Sequence, residues 1–176
     1  MPADEIIMLE IKQASPEQAD AISRVTREAF KIYKDALHSE KDVRLSALTE
    51  TAEDVLNDIK KHTVLAAAED GRVIGAIRVE KLSAELAYIY RFAVDPAETS
   101  GGVGSGLLAA AVKLCAEKGF SAIALHTNSK YYKLARYYYG KKFYVHSTSL
   151  EKGYIRALFV KELTDKIVDL SPAYKK

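Results

Sequence analysis

Four glycines, Gly101, Gly102, Gly104 and Gly106, fall between Val94 and Leu107, where an apolar stretch gives way to a turn and then to an apolar run that continues to about Lys118. Glycine lets a chain turn tightly, and the first turn of a helix leaves its own N–H groups without partners. The combination suits an anion, and phosphate or pyrophosphate is the natural guest because the helix dipole adds to the hydrogen bonds. The spacing rejects two phosphate-binding motifs. A P-loop requires Lys and Ser/Thr after its last glycine, where this chain has Leu107 and Leu108, and a dinucleotide fingerprint requires a further glycine where Leu107 stands.

A second concentration of chemistry lies at 130–140, where Tyr131, Tyr132, Tyr137, Tyr138 and Tyr139 crowd one stretch. At helical spacing they form two stripes, one of Tyr131, Leu134 and Tyr138, the other of Tyr132, Ala135 and Tyr139. Such stripes pack into cores more often than they line sites, although a phenol can also donate a proton. Glu85 and His126 are the titrating candidates nearby; His126 alternates with Leu125 and equally fits a hydrogen-bonded histidine within a sheet. Lys130, Lys133 and Arg136 are placed either to approach phosphates or to be solvated helix charges. Cys115, beside Leu114 and one helical turn from Ala111, reads as a buried structural thiol rather than a nucleophile.

The elements that must position these groups belong to one domain spanning 1–176. The 176 residues are 48% hydrophobic and 28% charged, enough for a substantial core. With 26 basic and 24 acidic residues the net charge is +2, which gives no dedicated nucleic-acid surface. One cysteine excludes an internal disulfide framework and leaves too few thiols for a zinc cage, so no metal is expected. The sequence has no apolar run long enough for a membrane span, and Asp4 and Glu5 ahead of Ile6 do not make a signal peptide, so the cytoplasm is the expected location.

Alternation predicts a first strand over 8–13. Ser15, Pro16 and Gln18 then announce a helix by N-cap, first-turn proline and capping box, with Ile22, Val25, Ala29 and Tyr33 on its apolar side. The stretch 34–50 has no period and reads as a substrate lip or a solvated connection. Thr51 and Asp54 open a short helix carrying Val55, Leu56 and Ile59. Strands are predicted over 62–69, 72–82 and 86–94, the first two joined by an Asp70-Gly71 hairpin turn. Along 86–94, Tyr88 and Tyr90 share a face with Phe92 and Val94. After the glycine loop and its helix come a short strand over 122–125, a helix over 130–139 ended by Gly140, and a closing hairpin of 143–147 with 154–160 turned near Gly153. Residues 170–176 read as a loose tail. The strand, helix, strand unit around the loop predicts a parallel pair inside an otherwise antiparallel, mixed α/β (α+β) sheet flanked by helices. The exposed edge of the last hairpin is compatible with a homodimer.

The stretch Phe92-Ala93-Val94-Asp95-Pro96 followed by Thr99-x-x-Gly102-x-Gly104 resembles the acyl-CoA loop of the GNAT superfamily of N-acetyltransferases, whose signature is Gln/Arg-x-x-Gly-x-Gly/Ala. Thr99 departs from it by replacing the long polar side chain. The element order agrees with the GNAT fold over nearly the whole chain, most strongly over 86–143. GNAT sequences also commonly show Asn-x-x-Ala-x-x-apolar-Tyr before Gly-Phe. Counting back from Phe143 puts that tyrosine at Tyr138, with Tyr131 and Leu134 at the Asn and Ala positions; anchoring on Ala135 selects Tyr139 instead.

The resemblance implies an acetyl-CoA-dependent N-acetyltransferase acting on a primary amine of a small molecule or a peptide by direct attack in a ternary complex. It implies cofactor contacts from Phe92, Ala93, Val94, Thr99, Ser100, Gly101, Gly102, Val103, Gly104 and Ser105, and from Asn128, Tyr131, Leu134 and Tyr138. It assigns Tyr138, or its rival Tyr139, to protonate the departing sulfur, and a backbone N–H near 92–94 to polarise the thioester oxygen. The base stays open between Glu85 and His126. The alternative is a catalytically weak CoA-binding module, in which Thr99 and the replaced Asn, Ala and Gly positions mark a weakened site; a nucleotide-binding regulatory domain is a third reading.

Overall fold

A computed structural model describes residues 9–36, 45–99 and 101–176. Met8 at the start of the expected first strand, residues 37–44 of the unpatterned stretch, and Ser100 lie outside the described residues. The described elements are β1 (Leu9–Gln13), α1 (Ala19–Asp35), α2 (Ala52–Lys61), β2 (Thr63–Glu69), β3 (Arg72–Lys81), β4 (Leu86–Val94), α3 (Val103–Glu117), β5 (Ala122–Asn128), α4 (Tyr132–Gly140), β6 (Tyr144–Ser149), β7 (Arg156–Glu162) and α5 (Ser171–Tyr174).

The local signals act as their chemistry requires. Ser15 and Gln18 form the capping box ahead of α1, the Ser15 N–H donating to Gln18 Oε1 at 3.0 Å, and at α2 the Thr51 N–H donates to Asp54 Oδ2 at 2.8 Å while Thr51 Oγ1 accepts from the Asp54 N–H at 3.2 Å. Asp70 and Gly71 both adopt positive φ, 47° and 81°, as a two-residue turn between right-twisted strands demands.

Seven strands form one sheet in the order β1-β2-β3-β4-β5-β7-β6. All neighbours are antiparallel except β4 and β5, which pair in parallel over Leu86–Tyr88 and Ala122–Ala124. Beyond that short register the two strands run on to Val94 and Asn128 without pairing. A cleft therefore opens in the middle of the sheet.

Strand alternation divides the core between two faces. Leu65, Ile74, Ile77 and Ile89 pack with Val103, Leu107, Leu108 and Ala111 of α3, whereas Val64, Ala66, Val73 and Ala76 pack with Ile22 and Val25 of α1 and Val55 of α2. The seat of α3 is close: a Cβ added at Gly75 would stand 2.8 Å from Leu107 Cδ1. Glycine is what β3 needs there.

Three expectations are corrected. The fifth strand extends to Asn128, because β7 pairs with it along its whole length from Ala122 to Asn128 and lends it a ladder that its short apolar run does not announce. The helix expected to stop before Gly140 includes it, and the left-handed residue that turns the chain is Lys142, with φ 63°. The tail at 170–176 is docked, not loose: α5 buries Ala173 completely among Leu86, Tyr88 and Leu158, with Val168 and Leu170 packed alongside.

Candidate active site

A cavity of about 930 Å³ lies where β4 and β5 part, a size suited to a sizeable ligand. One end is walled by Val94, Pro96, Thr99 and Gly104; the middle by Phe92, Leu134, Tyr137 and Tyr138; the far end by Glu80, Tyr88, His126 and Arg156.

At the first end, Gly102 takes φ 76° and begins α3 without a side-chain cap, so among the described residues no side chain is bonded to the helix's leading amides, and Gly104 of that first turn lines the cavity. A Cβ at Gly104 would find ordinary contacts, 3.5 Å to Val94 and 3.6 Å to Phe92. Glycine at 104 is thus not a packing requirement of the fold. What it leaves open is space on the cavity side. These features fit a diphosphate and pantetheine chain.

In the middle, β4 carries a bulge. Ala76 faces Ala93 and Arg78 faces Tyr90, so Arg91 and Phe92 share the place opposite Ile77. Arg91 takes φ 49°, an uncommon conformation for a side chain of its size. It is held there by Glu50 Oε1, 3.0 Å from its Nε, and by Ser46 Oγ, 2.9 Å from its Nη2. The same Glu50 accepts a bidentate pair from Arg78 at 2.6 and 2.9 Å, and its carbonyl accepts from Arg27 at 2.6 Å. Arg78 Nε also stands 3.2 Å from Asp58 Oδ2. Arg78 is 0% exposed and Glu50 4%, so this charge cluster ties α1, α2, β3 and the bulge together from inside. Sequence reasoning missed it. The available signal is Arg78 itself, a charge in the otherwise apolar run Val73–Val79.

Tyr138 is buried at the cavity wall, its ring between Tyr137, Phe143 and Phe159. Burial raises its phenol well above the ordinary value, so the group stays protonated and able to donate. Tyr139 is 55% exposed and packs on Phe159 from outside, off the cavity wall. Tyr137 also lines the cavity, a position the stripe argument passed over. Burial raises its phenol while Ser105 opposes the rise, although the Tyr137 hydroxyl has no partner in hydrogen-bond geometry among the described residues.

At the far end, Tyr88 and His126 share a hydrogen bond of 2.8 Å between Oη and Nδ1. Burial lowers His126 to about 4, helped by the charges of Arg156 and Lys152, and raises Tyr88 to about 12. Both groups are neutral near pH 7.

The other expected residues divide. Phe92, Ala93, Val94, Thr99, Gly104, Tyr131 and Leu134 line the cavity. Val103 is buried in the core, Gly101 and Gly102 are exposed at the turn, and Ser105 is half-buried in the first turn of α3. Asn128 is buried, its Oδ1 accepting the Lys130 N–H at 2.8 Å, which makes it a brace of the turn into α4. Glu85 is not brought to the cavity: it precedes β4 at the end away from the bulge and pairs with Lys166 at 3.0 Å. Cys115 is fully buried, and burial pushes its thiol up to about 12, which leaves it unreactive. Among the described residues no cluster of His, Cys, Asp or Glu could hold a metal ion, and no helix is long and apolar enough to cross a membrane.

A sequence profile described as the acetyltransferase (GNAT) family matches residues 26–143, two-thirds of the chain, including the bulge, the glycine loop and Tyr138. The chain belongs to the GNAT acetyltransferase family. Solved structures carry the same GNAT fold. The PaiA N-acetyltransferase of Thermoplasma acidophilum, in complex with coenzyme A, superposes with a TM-score of 0.76 at 23% identity, over 89% of this chain and 99% of that one. YncA of Salmonella typhimurium, solved with acetyl-CoA, gives 0.71 at 15% identity over 91% and 96%. The ribosomal-protein-S18-alanine N-acetyltransferase of Escherichia coli gives 0.71 at 13% identity over 93% and 99%. Comparison with curated protein sequences returned no match. At these identities the structural likeness speaks to the GNAT fold alone.

Proposed function

We propose that this chain transfers the acetyl group of acetyl-CoA to a primary amine of a small molecule or a peptide, by direct attack in a ternary complex. The observation that carries the reading is that one cavity joins the uncapped start of α3, the bulged segment Phe92–Val94 and the buried hydroxyl-bearing Tyr138. Acetyl-CoA, when bound, supplies an acetyl group already activated as a thioester.

The chain's own residues then divide the work. The amides at the start of α3 hold the diphosphate, with the open face of Gly104 admitting close backbone approach. Phe92–Val94, where β4 is no longer paired with β5, offers a backbone N–H to the acyl oxygen. Tyr138, kept protonated by burial, donates to the departing sulfur. An incoming alkylamine must shed a proton before it attacks, and the Tyr88–His126 pair with Glu80 forms the polar wall along which water can carry it off. The buried, high-pKa Cys115 favours direct attack over an acyl-enzyme.

The test is release of free thiol from acetyl-CoA across a panel of primary amines, beside titration of CoA by calorimetry. The reading expects CoA binding and amine-dependent thiol release. Binding with no release for any amine would leave a CoA-binding module.

A further inference from the structure

The far end of the cavity is already partly filled, by the chain itself. The docked tail brings Lys176 into the cavity wall, where its Nζ lies 2.6 Å from Glu80 Oε1 and its main-chain oxygen accepts from Arg156 Nη1 at 3.2 Å. Both partners are set for recognition rather than for solvent. The Glu80 side chain is 19% exposed and projects from β3 opposite Tyr88; Arg156 is 8% exposed, and its buried Nε has no hydrogen-bond partner among the described residues. A carboxylate beside aromatic rings suits an alkylammonium, and a buried guanidinium suits a carbonyl oxygen. Lys176 presents those two groups in the spacing of a lysine residue within a peptide.

We infer that this end of the cavity is the acceptor subsite, that it recognises a lysyl residue of a peptide through Glu80 and Arg156, and that Lys176 is its built-in occupant. The inference rests on the acetyl-transfer reading for its purpose but not for its geometry. An arriving lysyl group takes the Glu80 and Arg156 contacts, and Lys176 gives them up. Occupant and acceptor therefore compete, and removing the Lys176 side chain strengthens acceptor binding. A purely structural ion pair predicts the opposite or nothing.

The experiment measures binding of Nα-acetyl-lysine N-methylamide, by calorimetry or NMR titration, to wild type, Lys176→Ala and the double variant Lys176→Ala with Glu80→Gln, without cofactor and with CoA. The expected result is binding at least about 5-fold tighter in Lys176→Ala than in wild type, and at least about 10-fold weaker once Glu80→Gln is added. The norleucine counterpart, lacking the ammonium, should not compete. Equal or weaker binding in Lys176→Ala, indifference to Glu80→Gln, or competition by the norleucine counterpart overturns the inference. If 1,4-diaminobutane binds more tightly than the lysyl probe, the carbonyl contact is not used and the peptide class is wrong. Failure of CoA itself to bind removes the acetyl-transfer reading while leaving the cofactor-free titration to decide the subsite.

Discussion

Arg91 Nε lies 3.0 Å from Glu50 Oε1, which ties the one left-handed residue of β4 to a buried carboxylate just ahead of α2. The bulge that carries Phe92 is therefore not held by its own strand alone. It depends on a residue 41 positions earlier in the chain.

That dependence predicts a large stability effect. Glu50→Ala leaves Arg78, with no exposed surface, without its bidentate partner, and breaking one side of a buried pair costs about 3–5 kcal/mol. Urea unfolding followed by circular dichroism should show a loss of that size. A change under about 1 kcal/mol would mean that the cluster does not brace the fold.

Tyr138→Phe should lower the rate of acetyl transfer by about 10²-fold, with CoA affinity unchanged, because only the proton donor is removed. Tyr139→Phe should leave the rate within about 2-fold, given that its side chain stands off the cavity. Single-turnover rates beside CoA titrations check both. The reverse pattern would transfer the role to Tyr139.

Gly104→Ala tests the loop without disturbing its packing. An added Cβ meets only ordinary contacts with Phe92 and Val94, so the melting temperature should hold while the Kd for CoA rises by about 10-fold or more. Unchanged affinity would remove the diphosphate from this turn.

His126 gives the pH dependence its sign. Its folded pKa lies near 4, below the ordinary 6.5, so between those values the unfolded chain binds a proton that the folded chain refuses. Stability conferred by the neutral ring is complete above about pH 6.5 and declines as pH falls toward 4. Denaturant midpoints measured across that window should fall less steeply in His126→Asn. Parallel slopes in the two proteins would assign the decline to other groups.

Much of this is legible in the sequence, for reasons that differ by residue. Caps, the Asp70-Gly71 turn and strand alternation are local signals, and each appears where its chemistry requires. The separation of Tyr138 from Tyr139 was not local: both stripes of α4 are apolar enough to be buried, and only the packing of Phe143 and Phe159 decides which tyrosine meets the cavity. Glu85 illustrates the opposite failure, since nearness in sequence to β4 said nothing about which end of the strand borders the cleft. Glu50 sat in a stretch without period, so its three arginine partners, spread over 27, 78 and 91, left no pattern to read. The tail looked loose because Val168, Leu170 and Ala173 are too few to announce a core, yet they complete one that Leu86 and Tyr88 had left open.

The most direct measurement of the central claim is amide hydrogen exchange with and without acetyl-CoA. Protection gained at residues 102–106 and 92–94, where α3 begins and β4 has no pairing with β5, is the predicted result. Protection confined to other parts of the chain, with those amides exchanging as before, would contradict the account.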